Sequence, residues 1–243
     1  MIPKTLHYCW FGNGKKSELV QKCIQSWKKA MPDYTIIEWN ESNSDITANK
    51  YISEAYSANK WAFVSDYIRL RVLFEYGGIY LDTDVETLKS FDAFLNNEAF
   101  TGFESNDSII TAVIGAEKNN AFLKTVLDAY AERSFIKEDG SFDMTTNVTF
   151  ISKFFLENGL KPNGKEQDIL GFRIYPQAYF SPNNFLRILN RIPAQTYSIH
   201  HFEGSWNDKS NNSCNFVFRC RRYLVGTARN LIGTDNLSRL KRK

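Results

Sequence analysis

Asp82 and Asp84 stand one residue apart in EYGGIYLDTDVETL (residues 75–88), just after a short apolar run. On a strand, residues i and i+2 share a face, so the two carboxylates would bring up to four hard oxygens to one point. Such donors suit Mg2+ or Mn2+ better than zinc, and these ions complete their shells with phosphates and water. The spacing points to a metal that holds a diphosphate; the plainer alternative is two solvated turn residues. Upstream, Asp66 and Arg69 lie three apart in WAFVSDYIRLRVLFEY, on one face of a helix, with Ser65 one turn before Arg69. Burying these charges is costly unless they pair with each other or meet a ligand. They are therefore a structural ion pair, or a carboxylate for sugar hydroxyls beside a guanidinium for phosphate or sugar oxygens. In YSIHHFEGSW (residues 197–206), His200 and His201 would face opposite ways on a strand, so one of them could join a metal site, with Glu203 as a competing ligand.

These groups need a scaffold. Residues 2–11 read as a strand, and Ser17 caps a helix whose apolar positions Leu19, Val20, Cys23, Ile24 and Trp27 follow the 3.6-residue period. Pro32 stops that helix. Residues 34–39 (YTIIEW) give a second strand, and this β-α-β start predicts parallel pairing in an α/β fold. A short helix plus loop is expected over 44–60. Residues 61–76 then form a helix that is apolar nearly all round and so buried. Gly77 and Gly78 end it in a left-handed conformation, and 79–81 form a central strand with the aspartates at its carboxyl end, where ligands of open α/β sheets bind. Beyond it, 99–116 read as one or two strands, 120–131 and 149–158 as helices, 133–143 as a polar loop, and 172–175 and 196–202 as strands.

The bulk numbers fit one folded domain of 243 residues: 43% hydrophobic and 23% charged excludes disorder and fibrous repeats, and 15% aromatic residues suit either planar ligands or a bulky core. No apolar run reaches the roughly 20 residues needed to span a bilayer. The first residues lack a leader's apolar core, so a cytoplasmic protein is expected. Cys9, Cys23, Cys214 and Cys220 have no zinc or disulfide spacing and read as thiols. Residues 219–243 carry eight basic side chains and one acidic one, leaving the rest of the chain near −4. Leu224, Val225, Ala228, Leu231 and Ile232 recur there at helical spacing, the pattern of a helix on an anionic membrane surface or of one docked on the domain. No nucleic-acid motif accompanies the tail. The expected division is a domain over 1–218 and a basic tail over 219–243.

The run WAFVSDYIRLRVLFEYGGIYLDTDV, together with IPKTLHYCWFG and IIEWN, resembles the DxD-containing sugar-binding region of glycosyltransferase family 32, densely over residues 1–90 and again near 197–206. The resemblance implies a GT-A fold (a Rossmann-like mixed sheet with flanking helices) and a nucleotide-sugar donor, with a UDP-hexose favoured and GDP-mannose second. It also implies Mn2+ (or Mg2+) and transfer with retention to a saccharide or lipid-linked saccharide, as in bacterial capsule or surface-polysaccharide synthesis. By the same resemblance Trp10 packs on the base and Asn40 approaches the ribose. Ser65, Asp66 and Arg69 bind the donor, Tyr80 lies beside it, and Asp82 and Asp84 hold metal, ribose or sugar. His201 completes the metal site, Ser205 and Trp206 close over the diphosphate, and Asn147 touches the reacting sugar or merely caps a helix. A membrane-bound acceptor would suit a peripheral enzyme on the inner face of the cell membrane.

Two other classes compete. IYLDTDVETL superficially resembles the nucleophile motif of haloacid-dehalogenase-type phosphatases, but Glu86 stands where Thr or Val belongs and no GDxxxD follows. A sugar-nucleotide-binding protein without turnover would have little reason to keep Asp66, Arg69, Asp82 and Asp84 together. GNGKK at 12–16 lacks the first glycine of a P-loop, whose position Cys9 holds.

Overall fold

Strand β1 (Thr5–Cys9) alternates its side chains between two cores, and this alternation sets the layers of the molecule. Leu6 and Tyr8 enter one core with Trp27, Phe94 and Phe100, whereas Cys9 enters the other with Val64, Ile68 and Tyr130. The description is of a computed structural model and covers residues 1–182 and 191–203. Met1–Glu203 is one compact unit. The expected boundary at 218, the tail 219–243, Cys214, Cys220, Ser205 and Trp206 lie outside the described residues.

The first half follows the sequence closely. Helix α1 (Glu18–Ala30) begins where the Ser17 hydroxyl accepts from the Val20 N–H, and it places Glu18 in its first turn and Lys28 and Lys29 in its last, each complementing the helix dipole. It buries Val20, Cys23 and Trp27. Strand β2 (Thr35–Trp39) pairs parallel to β1, in register from Thr5 opposite Thr35 to Cys9 opposite Trp39. Helix α2 (Lys50–Ser57) is capped by Asn49. Helix α3 (Trp61–Tyr76) buries Phe63, Val64, Asp66, Ile68, Arg69, Leu70, Val72 and Leu73, as its lack of a polar stripe predicts. Gly77 and Gly78 turn the chain from α3 into strand β3 (Gly78–Leu81). Gly77 (φ 68°, ψ −176°) takes a conformation essentially reserved for glycine rather than the expected left-handed helical one, and Gly78 has φ 110°.

Beyond β3 come β4 (Val85–Thr87), β5 (Ala99–Ser105), β6 (Ser108–Ile109) and β7 (Val113–Ala116). Residues 99–116 thus hold three strands rather than one or two. Helices α4 (Ala121–Ala131) and α5 (Asn147–Glu157) start at the Asn120 and Thr146 caps. The described chain closes with β8 (Gln167–Ile169), β9 (Phe172–Tyr175) and β10 (Ser198–His200). The main sheet runs β2-β1-β3-β7-β5-β9-β8, with β6 on β5. β3 is central, parallel to β1 and antiparallel to β7, so the sheet is mixed. β4 and β10 form a separate antiparallel ribbon. Among the described residues no helix is long and apolar enough to cross a membrane.

Candidate active site

Asp82 and Asp84 do not share a strand face, because β3 stops at Leu81. They lie in the tight turn between β3 and β4, where the Val85 N–H donates to the Asp82 carbonyl at 3.0 Å and the Asp82 N–H to the Ala112 carbonyl at 2.9 Å. The turn, not strand alternation, brings the carboxylates together. Its location is the expected one, outside the carboxyl end of the central strand.

Helix α3 delivers the second group. Arg69 (5% exposed) donates from Nε to the Ser65 carbonyl at 3.2 Å and from Nη1 to the Thr111 carbonyl at 2.9 Å. It pairs through Nη2 with Asp66 Oδ1 at 2.9 Å and through Nη1 with Asp82 Oδ1 at 3.0 Å. Its guanidinium lies 4.7 Å from the centre of the Tyr80 ring. Most of its five donors are therefore spent inside the protein, and Arg69 clamps two carboxylates, the ion-pair alternative, rather than offering itself to phosphate or sugar oxygens. Tyr80 also differs from expectation. It is 1% exposed and gives its hydroxyl to Asp82 Oδ1 at 3.0 Å, so it supports the aspartate rather than presenting itself to a ligand. The Ser65 hydroxyl is committed to the Trp61 carbonyl at 3.0 Å.

Asp66 is held from a third side. The Asn147 N–H, at the start of α5, donates to Asp66 Oδ2 at 3.2 Å, and the Asn147 side chain donates to the Asp66 carbonyl at 3.0 Å while accepting from the Tyr130 hydroxyl at 3.1 Å. Asn147 is thus a buried brace for Asp66. Burial pushes the Asp66 carboxyl up to about 6 against the pull of Arg69. Burial likewise opposes the charge of Arg69, but Asp82 and Asp66 keep it above its ordinary value.

The ribbon of β4 and β10 supplies a histidine, and it is His200 rather than the expected His201. His200 Nε2 lies 3.3 Å from Asp84 Oδ1, and ligand atoms of Asp82, Asp84 and His200 all fall within 4.8 Å of one another. His201 faces the other way, with Nε2 2.9 Å from Glu86 Oε2, and Glu86 also pairs with Lys22 at 3.1 Å. The choice follows from the pairing of His200 with Val85 and Ile199 with Glu86 across the ribbon. Asp84 holds β10 in place by accepting from the His201 N–H at its carbonyl (3.0 Å) and from the Glu203 N–H at Oδ2 (2.8 Å). Glu203 thus meets Asp84 through its backbone. Burial would raise the Asp84 carboxyl, but His200 and the Glu203 N–H hold it below its ordinary value; burial would lower His200, but Asp84 holds it above. Two carboxylates and an imidazole form a donor set that fits a divalent metal.

Trp10 and Asn40 form a separate group at the carboxyl ends of β1 and β2. The half-buried Trp10 ring donates to the Gly14 carbonyl at 2.7 Å, with Lys16 Nζ 5.3 Å from its centre. Asn40 donates to Glu38 Oε1 at 3.3 Å and accepts from the Ser42 N–H and hydroxyl at 2.9 and 2.7 Å. Glu38 and Glu86, which hold Lys16 and His201 here, are not marked as site residues by the sequence. Their signal was a lone acidic residue on a short strand, which does not tell a solvated position from a site.

Residues 17–101, which contain Asp66, Arg69, Asp82 and Asp84, match the model of the family described as "Glycosyltransferase sugar-binding region containing DXD motif". The mixed sheet with its flanking helices is a GT-A type of fold, shared with the solved PaToxG glycosyltransferase at a TM-score of 0.50 and 20% identity over 64% of this chain and 69% of that one. Among curated proteins, the chain is 31% identical over 137 residues to inositol phosphoceramide mannosyltransferase 3 of Schizosaccharomyces pombe, covering 52% of this chain and 36% of that protein. It is 28% identical over 134 residues to mannosyl phosphorylinositol ceramide synthase CSH1 of Saccharomyces cerevisiae, covering 52% and 35%. The matched region spans about a third of each of these two relatives.

Proposed function

We propose that this protein is a metal-dependent glycosyltransferase that moves a hexose from a nucleotide sugar to a saccharide acceptor with retention of anomeric configuration. The observation that carries the reading is the Asp82–Asp84–His200 cluster at the carboxyl end of β3, one clamp away from the buried Asp66. Asp82, Asp84 and His200 would hold the metal, and the imidazole favours Mn2+ over Mg2+, which prefers oxygen ligands. When bound, the metal supplies Lewis-acid stabilisation of the negative charge on a departing nucleoside diphosphate. Asp66 receives sugar hydroxyls, Arg69 fixes Asp66 against Asp82, and Trp10 offers its ring to the base. Preorganised in this way, the carboxylates need no rearrangement as charge develops.

A UDP-hexose is the favoured donor. The two mannosyltransferase relatives support GDP-mannose as the second candidate, and their names, which give an inositol phosphoceramide, support an acceptor carried on a lipid. A role in bacterial capsule or surface-polysaccharide synthesis, at the inner face of the membrane with residues 219–243 on anionic lipid, extends the proposal by family resemblance and rests on the basic tail of the sequence. The test is release of nucleoside diphosphate from UDP-hexoses and GDP-mannose with Mn2+, for wild type and Asp84→Asn. Turnover of one donor, lost with chelator and in Asp84→Asn, is expected. A folded wild type that turns over none of them in any divalent metal would contradict the proposal, as would full activity in folded Asp84→Asn.

A further inference from the structure

The Trp10 loop is tied to β2 by the Trp10 N–H, which donates to the Trp39 carbonyl at 2.8 Å, and by one carboxylate, Glu38. Glu38 lies opposite Tyr8 in the β1–β2 register, and the Tyr8 hydroxyl donates to its Oε2. Lys16 Nζ pairs with the same oxygen at 2.9 Å while standing 5.3 Å from the centre of the Trp10 ring. Oε1 accepts only from Asn40, at 3.3 Å, among the described residues. A carboxylate has about four acceptor positions, so Oε1 keeps capacity for a further donor. The Glu38 and Lys16 side chains are 30% and 26% exposed, open to a ligand rather than sealed in the core. Of the neighbouring candidates, the Asn40 amide oxygen is committed to Ser42, and Glu41 spends Oε1 on the Gly12 N–H at 2.6 Å and the Tyr56 hydroxyl at 3.5 Å.

We propose that Glu38 is the ribose-specificity residue of the donor site, accepting a hydroxyl of the ribose diol while Lys16 holds the carboxylate beside the base-stacking Trp10. The inference rests on the nucleotide-sugar reading above. An acidic side chain at the end of the second strand is a common acceptor for ribose hydroxyls in open α/β sheets, because the nucleoside crosses the carboxyl edge there. It assigns the 12–16 loop a task that the P-loop comparison could not, namely carrying Lys16 from the start of α1 to the nucleoside end of the site. The competing role is a strut that merely fastens this loop to β2.

The experiment titrates UDP and GDP, and the 2′-deoxy and 3′-deoxy forms of each, into wild type, Glu38→Gln, Glu38→Asp and Tyr8→Phe with Mn2+. Wild type is expected to bind one ribonucleotide at least about tenfold more tightly than one of its deoxy forms, the scale of a hydrogen bond to a charged group. In Glu38→Gln and Glu38→Asp that ratio falls below about threefold, whereas Tyr8→Phe, which loses only the strut, keeps it. An unchanged ratio in a folded Glu38 variant, or no discrimination by wild type, would overturn the assignment and leave the nucleotide reading standing. Failure of wild type to bind either diphosphate would overturn both.

Discussion

Exchanging His200 and His201 for alanine, one at a time, distinguishes the proposed metal ligand from its neighbour by a large factor. His200 lies 3.3 Å from Asp84 and supplies one of three clustered ligand atoms. Loss of a partner that only orients a ligand costs about 10–100-fold in metal affinity, so loss of a ligand should cost at least about 100-fold. By contrast, alanine at 201 removes an imidazole whose described partner is Glu86, and Glu86 keeps Lys22 at 3.1 Å. The backbone bond from residue 201 to the Asp84 carbonyl survives the change, so β10 stays docked. His201→Ala should therefore weaken the metal by less than about tenfold. Electron paramagnetic resonance of free Mn2+, titrated into each protein with UDP present, gives both affinities. A larger loss in His201→Ala than in His200→Ala, in folded proteins, would refute the placement.

Stability should fall on acidification through His7. Its ring nitrogen Nε2 lies 2.8 Å from the Gly77 carbonyl, and Nδ1 accepts from the Trp39 ring N–H at 3.0 Å, which fixes a neutral tautomer. Burial pushes the imidazole down to about 4 from the ordinary 6.5, so its contribution is complete above pH 6.5 and is lost as pH falls toward 4, about 3 kcal/mol in all. Between pH 7 and 4, urea unfolding of wild type should lose that much more stability than His7→Gln, and equal losses would remove the assignment. Gly78→Ala should cost at least about 2 kcal/mol, because φ is 110° and an added Cβ would stand 2.7 Å from the Thr5 carbonyl; an unchanged melting temperature would contradict the backbone geometry. Arg69→Met leaves Asp66 and Asp82 without their buried cation and should destabilise by about 3–5 kcal/mol at neutral pH; a change within 1 kcal/mol would show that the clamp is not structural.

Local signals carried the first half of the fold. Helix α3 was legible to the residue because sixteen positions are apolar nearly all round and two glycines follow. Ser17, Asn120 and Thr146 cap their helices through side-chain bonds, although Thr146 starts α5 two residues before its apolar pattern becomes plain. What the sequence hid was non-local. The alternation rule says correctly that only one of two adjacent histidines can reach the aspartates, but β10 pairs with a strand more than a hundred residues away, and that register chooses His200. Similarly, LDTD looks like a continuing strand until the Asp82–Val85 turn is seen. Tyr80 and Arg69 look like ligand contacts by type, and only their burial and spent hydrogen bonds recast them as supports.

The central claim is that the aspartate turn and His200 form a metal site that receives a nucleoside diphosphate. Calorimetric titration of UDP, then GDP, with Mn2+ and again with chelator tests it most directly. The account predicts binding of one nucleotide that disappears without metal and in Asp84→Asn. Metal-independent binding, or binding of neither nucleotide by the folded protein, would contradict it.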